Sequence, residues 1–333
     1  MRLTTNPYVN LDDLFDFEFN YLNQHDLLGI SLFLAQNPTI DSVDQIPHTH
    51  TIFKDKLNVI DFSENFTGNN TVERLSDLLT SVKIPHVILG SDPGINTNTI
   101  CYFPLFYILS MTRCSRDYKS VLEHDKTYNI SCLNRSTRAH RIQNYSKLIE
   151  KNYKNTLITF NDLSSVFDLE SDIAKKYLKL KNEGYIPVND IAEPTGKNVW
   201  SIHHPAYKLS YINIATETEV TDTVFLTEKT WKPIASGQLF FVVGSKGTIA
   251  YLRSLGVDVF DDIIDNSYDS EADWIVRIDR MYDSIDKLLD HDLKELYNIT
   301  RDRRKQNQEL FFSGKFGQQY VDKINSRFAQ QGN

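Results

Sequence analysis

Three cysteines, three methionines and three tryptophans in 333 residues rule out several kinds of protein at once. Cys101, Cys114 and Cys132 are odd in number and lack metal-ligand spacing, so no disulfide scaffold and no cysteine metal site is expected, only reduced thiols. No run of about 20 apolar residues occurs, so no membrane span is expected. The opening residues carry acids and no apolar core, so no signal peptide is expected. The Asn-x-Ser/Thr triplets, such as the one at Asn65, then read as chance products of an Asn-rich chain, and the expected location is cytoplasmic. No Gly-x-Gly-x-x-Gly follows a strand-like run, so the dinucleotide fingerprint is missing. Positive charge is in deficit, with 36 Lys and Arg against 44 Asp and Glu and a formal net charge of −8. That balance argues against a wholly cationic nucleic-acid binder and leaves room for local basic patches.

What is there is the material of an ordinary globular protein. The length suits about two domains, by a soft prior of roughly 150 residues each. Asn, Lys, Asp and Tyr are all frequent, which suits a low-GC genome such as that of a phage.

The most informative stretch runs from Tyr207 to Gly244. Leu209 to Ala215 is apolar and β-branched enough for a buried strand, with Glu217 and Thr218 at its end. A polar loop, Glu219 to Thr223, follows. Thr227, Glu228 and Lys229 open a helix that runs to about Ser236 and stops at Gly237, and Leu239 to Val243 reads as a second buried strand. In an open parallel sheet, ligands sit beyond the carboxyl ends of strands, where helix N-termini point. Such an N-terminus attracts phosphate. Lys229 adds a full charge there, and Glu228 can accept hydrogen bonds from ribose hydroxyls. The same residues equally describe an ordinary capped helix.

This stretch resembles the donor-binding segment of GT-B glycosyltransferases, most nearly the fucosyltransferase type. There a Glu-Asn pair ends a strand and a Tyr-x-Thr-Glu-Lys run opens the next helix. The matching positions are Glu217-Thr218, then Phe225 to Lys229, then Ala235-Ser236-Gly237. It is also similar to phage-type glycosyltransferase-like proteins with a Thr-Glu-Lys-Thr-x-Lys-Pro-Ile run and a later Leu-Arg-Ser-Leu-Gly. The family's Asn is Thr218 here and its Tyr is Phe225, so the resemblance does not carry GDP-fucose over to this chain. It implies an α/β fold of two Rossmann-like domains facing a cleft. The expected boundaries are 1–120 for an acceptor-binding domain, 121–300 for a nucleotide-sugar donor domain, and 301–333 for a last helix crossing back to the first domain.

In the first domain, residues 11–21 read as a helix, Leu27 to Leu34 as a buried element, Asn58 to Phe62 as a strand, Thr71 to Val82 as an amphipathic helix and His86 to Gly90 as a strand. Cys101 to Met111 reads as a buried helix or wall. An inverting sugar transfer needs a carboxylate base near the acceptor hydroxyl. Asp92, at a strand end, is the candidate, with Glu64 and His86 as rivals; Asp-Pro-Gly is also plain turn chemistry.

In the second domain, Tyr128 to Leu133 reads as a strand and leads to a helix through Glu150. Arg135, Arg138 and Arg141 recur every three residues at that helix's start and so share a side. Guanidiniums at a helix N-terminus suit a pyrophosphate, although a solvated basic face explains them alone. The resemblance gives an Arg of this strand-helix turn to the donor phosphates, which favours Arg135. With Lys229 it would clamp the diphosphate. Helix dipole, lysine and arginines then neutralise the leaving group, and neither a metal nor another cofactor is expected. His203-His204 lacks supporting ligand spacing, and Asp290-His291-Asp292 sits in a helix-like stretch, whereas the metal-binding Asp-x-Asp of the other main glycosyltransferase fold follows a strand. The resemblance sets the acidic stretch 261–273 beside the donor, where Asp265 or Tyr268 would meet the sugar. Trp274 to Leu289 and Arg301 to Phe328 read as helices.

The expected activity is therefore transfer of a hexosyl or pentosyl group from a nucleotide-diphosphate sugar to a hydroxyl. The acceptor is a glycan or a hydroxylated base of phage DNA, which would make the chain a DNA-modification enzyme. The alternative is a non-catalytic binding module on the same scaffold.

Overall fold

A computed structural model of the chain describes residues 20–22, 57–62, 71–94, 97–114, 124–135, 137–160, 171–186, 188–189 and 202–328. These fall into two compact units. One holds the residues up to Leu109 and those from Lys315 onward, and the other is Ser110–Gly314.

The first unit is built on four parallel strands in the order β1 (Asn20–Leu22), β2 (Asn58–Phe62), β3 (His86–Gly90), β4 (Ile100–Tyr102). Val59, Ile60, Val87, Ile88 and Leu89 are all 0% exposed, so the central strands are covered on both faces, as a parallel sheet requires. Helix α1 (Thr71–Ser81) supplies part of that cover with Val72, Leu75, Leu78 and Leu79, which recur at helical spacing and pack with Leu22, Ile60 and Ile88. Of the helix expected at 11–21 only residues 20 and 21 are described, and they are strand: residues 20–22 pair in register with β2, Tyr21 opposite Val59. The buried helix or wall expected at 101–111 is a buried helix from Leu105, α2 (Leu105–Cys114), preceded by the end of the short strand β4. Glu64 and the run Leu27–Leu34 lie outside the described residues.

The second unit carries β5 (Tyr128–Asn134), α3 (Ala139–Lys151), β6 (Thr156–Phe160), α4 (Asp172–Asn182), β7 (Val188–Asn189), α5 (Pro205–Lys208), β8 (Ser210–Thr216), α6 (Glu228–Ala235), β9 (Leu239–Val243) and α7 (Thr248–Ser254). A 3-10 turn (Asn266–Ser270), α8 (Trp274–Leu289), α9 (Leu293–Ile299) and α10 (Arg301–Phe312) complete it. The sheet order is β7-β6-β5-β8-β9, parallel except for β7. From β5 the chain runs through α3 to β6 on one side, and from β8 through α6 to β9 on the other. The order therefore reverses between β5 and β8, a topological switch point of the doubly wound kind.

The charged tail expected as one helix is two. It breaks at Gly314, which adopts φ 71° and so a backbone that side-chain-bearing residues avoid. The following α11 (Lys315–Phe328) packs within the first unit, with Phe316 edge-on to Tyr107 and Tyr320 edge-on to Tyr102, both at 4.9 Å between ring centres. Gly317 permits that approach: a Cβ there would stand 3.1 Å from Tyr107 and Ile108.

Candidate functional site

The carboxyl ends of β5 and β8 are tied together by a buried pair, Thr216 Oγ1 donating to Asn134 Oδ1 at 2.8 Å. One residue on, Glu217 turns inward and is 0% exposed. Its carboxylate accepts the Thr227 N–H at 3.0 Å and the hydroxyls of Thr227 and Thr230 at 2.5 Å each. Thr227 is the N-cap of α6, its side chain accepting from Lys229 N. The helix start thus receives the anion it favours from its own chain, and Glu217 fixes α6 against the end of β8. This makes Glu217 a positioning residue, with its oxygens turned away from solvent.

The backbone at Glu217 and Thr218 is ringed by donors from α3. His140 Nε2 lies 2.9 Å and Arg141 Nη2 3.2 Å from the Glu217 carbonyl oxygen. Arg138 Nη1 donates to the Thr218 carbonyl oxygen at 2.6 Å and also meets the Glu219 carboxylate. From the other side, Lys229 Nζ donates to Thr218 Oγ1 at 3.2 Å and to Glu228 Oε1 at 2.6 Å. Arg138 and Lys229 therefore bracket Thr218. Burial drives the His140 pKa down to about 3, and the charges of Arg141, Arg138 and Lys229 add to that, so the ring is neutral in this positive setting. Glu228 is buried, which by itself raises its pKa, but Lys229 and Lys232 prevail and hold it below the ordinary carboxylate value.

Of the eight residues expected to bind a donor, Arg138, Arg141, Glu217, Thr218, Thr227, Glu228 and Lys229 come together here. Arg135 does not join them: it is exposed, and none of the cluster's hydrogen bonds involves it. The three arginines do not share a helix face, because α3 begins only at Ala139. Arg138 is its extended N-cap and makes no side-chain cap, and Arg141 lies inside the helix and is buried. Asp92, in the first unit, accepts the Gly94 N–H at 2.7 Å in an Asx turn. His86 is a buried structural residue between Ser76 and the Ile84 carbonyl. Tyr268 is 1% exposed and cannot meet a sugar from where it stands. Asp265 lines an open hollow of about 420 Å³ and pairs with Lys287 at 2.8 Å. His204 and Asp292 cap α5 and α9. Among the described residues, no three His, Cys, Asp or Glu side chains are grouped to hold a metal ion, and no helix is long and apolar enough to cross a membrane.

Sequence reasoning missed His140 and Glu219, which bear on the site through contacts about 80 residues away along the chain. It also missed Arg277, which is buried, with Nη1 on the Glu271 and Ala272 carbonyls, and lines a narrow slot with Val220, Gly244 and Trp274. No local pattern marks any of the three.

Fold and site together define an α/β chain with parallel sheets and a cluster of arginine, lysine and glutamate side chains at a switch point. No protein-family model matches the chain, and no curated protein sequence matches it. Among solved structures it is similar to an α1,3-fucosyltransferase over 83% of this chain and 92% of that one, at 10% identity and a TM-score of 0.32.

Proposed function

We propose that the chain is a glycosyltransferase of GT-B type, with two Rossmann-like domains, that moves a hexosyl or pentosyl group from a nucleotide-diphosphate sugar to a hydroxyl with inversion. The observation that carries this reading is the meeting of Arg138 and Lys229 on Thr218 at the switch point between β5 and β8. Two cations from different elements, one a planar fork and one a point charge, suit the two phosphates of a diphosphate. Helix α3 adds to this: its N-cap offers no side-chain oxygen, whereas the start of α6 is filled by Glu217. The helix dipole available to a phosphate is thus that of α3. Glu228, held charged by Lys229, is assigned the ribose hydroxyls. Arg135, exposed on the loop before α3, is assigned an outer contact to the donor. Arg138, Lys229 and the α3 dipole neutralise the leaving diphosphate, so the transfer is proposed to need no metal.

Asp92 is the proposed base, with Glu64 the second candidate. The acceptor is proposed to be a glycan or a hydroxylated base of phage DNA. Salt dependence separates them, because phosphate-driven DNA binding weakens steeply as salt rises. One observation favours a second reading, a non-catalytic nucleotide-binding module: the Asp92 carboxyl is already engaged by its own turn.

The test is thermal stabilisation by a panel of nucleotides and nucleotide sugars, with Lys229→Ala as control. A ligand at 100 times its Kd stabilises by about 2.7 kcal/mol. A shift with a nucleoside diphosphate that is lost in Lys229→Ala is the expected result. No shift with any nucleotide sinks the proposal and leaves the start of α6 an ordinary capped helix.

A further inference from the structure

We infer that Glu219 is an internal competitor for the phosphate seat on Arg138, and that a bound phosphate displaces it together with the loop from Glu219 to Thr223. This rests on the phosphate reading of the Arg138–Lys229 pair given above.

A single nitrogen of Arg138, Nη1, serves both the Thr218 carbonyl and the Glu219 carboxylate. A guanidinium fork fits a carboxylate and a phosphate in the same way, so a phosphate on that edge and Glu219 exclude each other. The three carboxylates of the cluster differ in how far they can move. Glu217 is wholly buried and held by Thr227 and Thr230. The Glu228 side chain is 9% exposed beside Lys229, whereas that of Glu219 is 39% exposed. Exchange of an exposed ion pair with solvent costs little. Beyond Glu219 the loop is anchored lightly, Thr221 N–H donating to Ser245 Oγ at 3.1 Å and Thr221 Oγ1 to the Thr223 carbonyl. Charge runs the same way. Arg138, Arg141, Lys229 and Lys232 stand against Glu217, Glu219 and Glu228, so a diphosphate of two or more negative charges brings excess negative charge unless one carboxylate leaves. Glu219 is the one placed to do so.

The test is titration calorimetry with inorganic pyrophosphate at low salt on the full chain. Wild type, Glu219→Gln, Arg138→Gln and the double variant are compared. The expected result is about two- to five-fold tighter binding in Glu219→Gln, the size an exposed competing pair supports. That gain disappears when Arg138 is already Gln. Equal or weaker binding in Glu219→Gln, with wild type binding pyrophosphate normally, overturns the competition and leaves the phosphate seat standing. A gain that persists without Arg138 also overturns it, since the effect is then general charge. If wild type binds neither pyrophosphate nor any nucleoside diphosphate, the phosphate reading falls and the competition with it.

Discussion

Arg138 and Thr218 lie 80 residues apart along the chain, yet Arg138 Nη1 donates to the Thr218 carbonyl oxygen at 2.6 Å. The N-cap of α3 is thereby joined to the end of β8, across the reversal of strand order. The Arg138 side chain is 36% exposed. Removing it should therefore harm binding far more than folding. Arg138→Gln is expected to weaken nucleoside diphosphate binding by about 10- to 100-fold, the worth of one charged hydrogen bond. Its unfolding free energy should change by less than about 1 kcal/mol. Arg138→Lys should recover only part of the affinity, because an ammonium lacks the planar fork. Calorimetry beside urea unfolding separates the two effects. Equal affinity in Arg138→Gln would remove this residue from the site.

Glu217 should behave in the opposite way. Its carboxylate takes the Thr227 N–H and the hydroxyls of Thr227 and Thr230, all buried. Glu217→Ala takes the acceptor from these three donors and from the Thr218 N–H and leaves a cavity, so a loss of about 3 kcal/mol or more in urea unfolding is expected. Ligand binding should fall with it, because α6 and Lys229 lose their alignment to β8. A Glu217→Ala protein of wild-type stability would contradict the positioning role.

The contrast between these residues explains what could be read from the chain. Strands β2, β3 and β9 and helix α8 were legible to the residue, because each is a run of one periodicity bounded by turn formers. The break of the tail at Gly314 was not, since the charged pattern continues through it and only the backbone reverses. The site was half legible. Thr227 to Lys229 lie together in sequence and announce a helix start. Arg138 and Arg141 were visible as a basic run, but the run hid that one caps the helix and the other is buried within it. Glu219, His140 and Arg277 depend on partners far along the chain or on burial, and neither leaves a local trace.

His140 gives the cluster a pH signature. Its pKa is lowered from 6.5 to about 3, chiefly by burial and then by Arg141. In the unfolded chain the ring binds a proton below about 6.5, whereas in the folded chain it stays neutral until far lower pH. The unfolded state therefore holds more protons through that window, and stability falls as pH drops from about 6.5 toward 3. The slope for one such group is about 1.4 kcal/mol per pH unit, or about 2 kcal/mol between pH 6.5 and 5. Urea unfolding of wild type and His140→Gln across this range should show the slope flattening in the variant. An unchanged slope would mean that His140 is not the group responsible.

Asp92 allows the sharpest separation of transferase from binding module. Burial holds its carboxyl above the ordinary value. The Gly94 N–H opposes that shift and the charge of Glu73 adds to it. A carboxyl of raised pKa is the stronger base, and a rate that depends on it rises with pH through that raised value. Asp92→Asn keeps the turn, since an amide oxygen still accepts the Gly94 N–H, so the fold should be unaffected. Donor binding, read as thermal stabilisation by the nucleotide sugar, should also be unaffected. Transfer, read as release of nucleoside diphosphate in the presence of acceptor hydroxyls, should fall about 10²- to 10⁴-fold. A variant that binds and transfers like wild type would move the base elsewhere, with Glu64 next to be replaced. A wild-type protein that binds the donor and never releases the diphosphate, with any glycan or hydroxylated DNA supplied, would instead favour the non-catalytic module. The Asp92 carboxyl would then serve only its own turn.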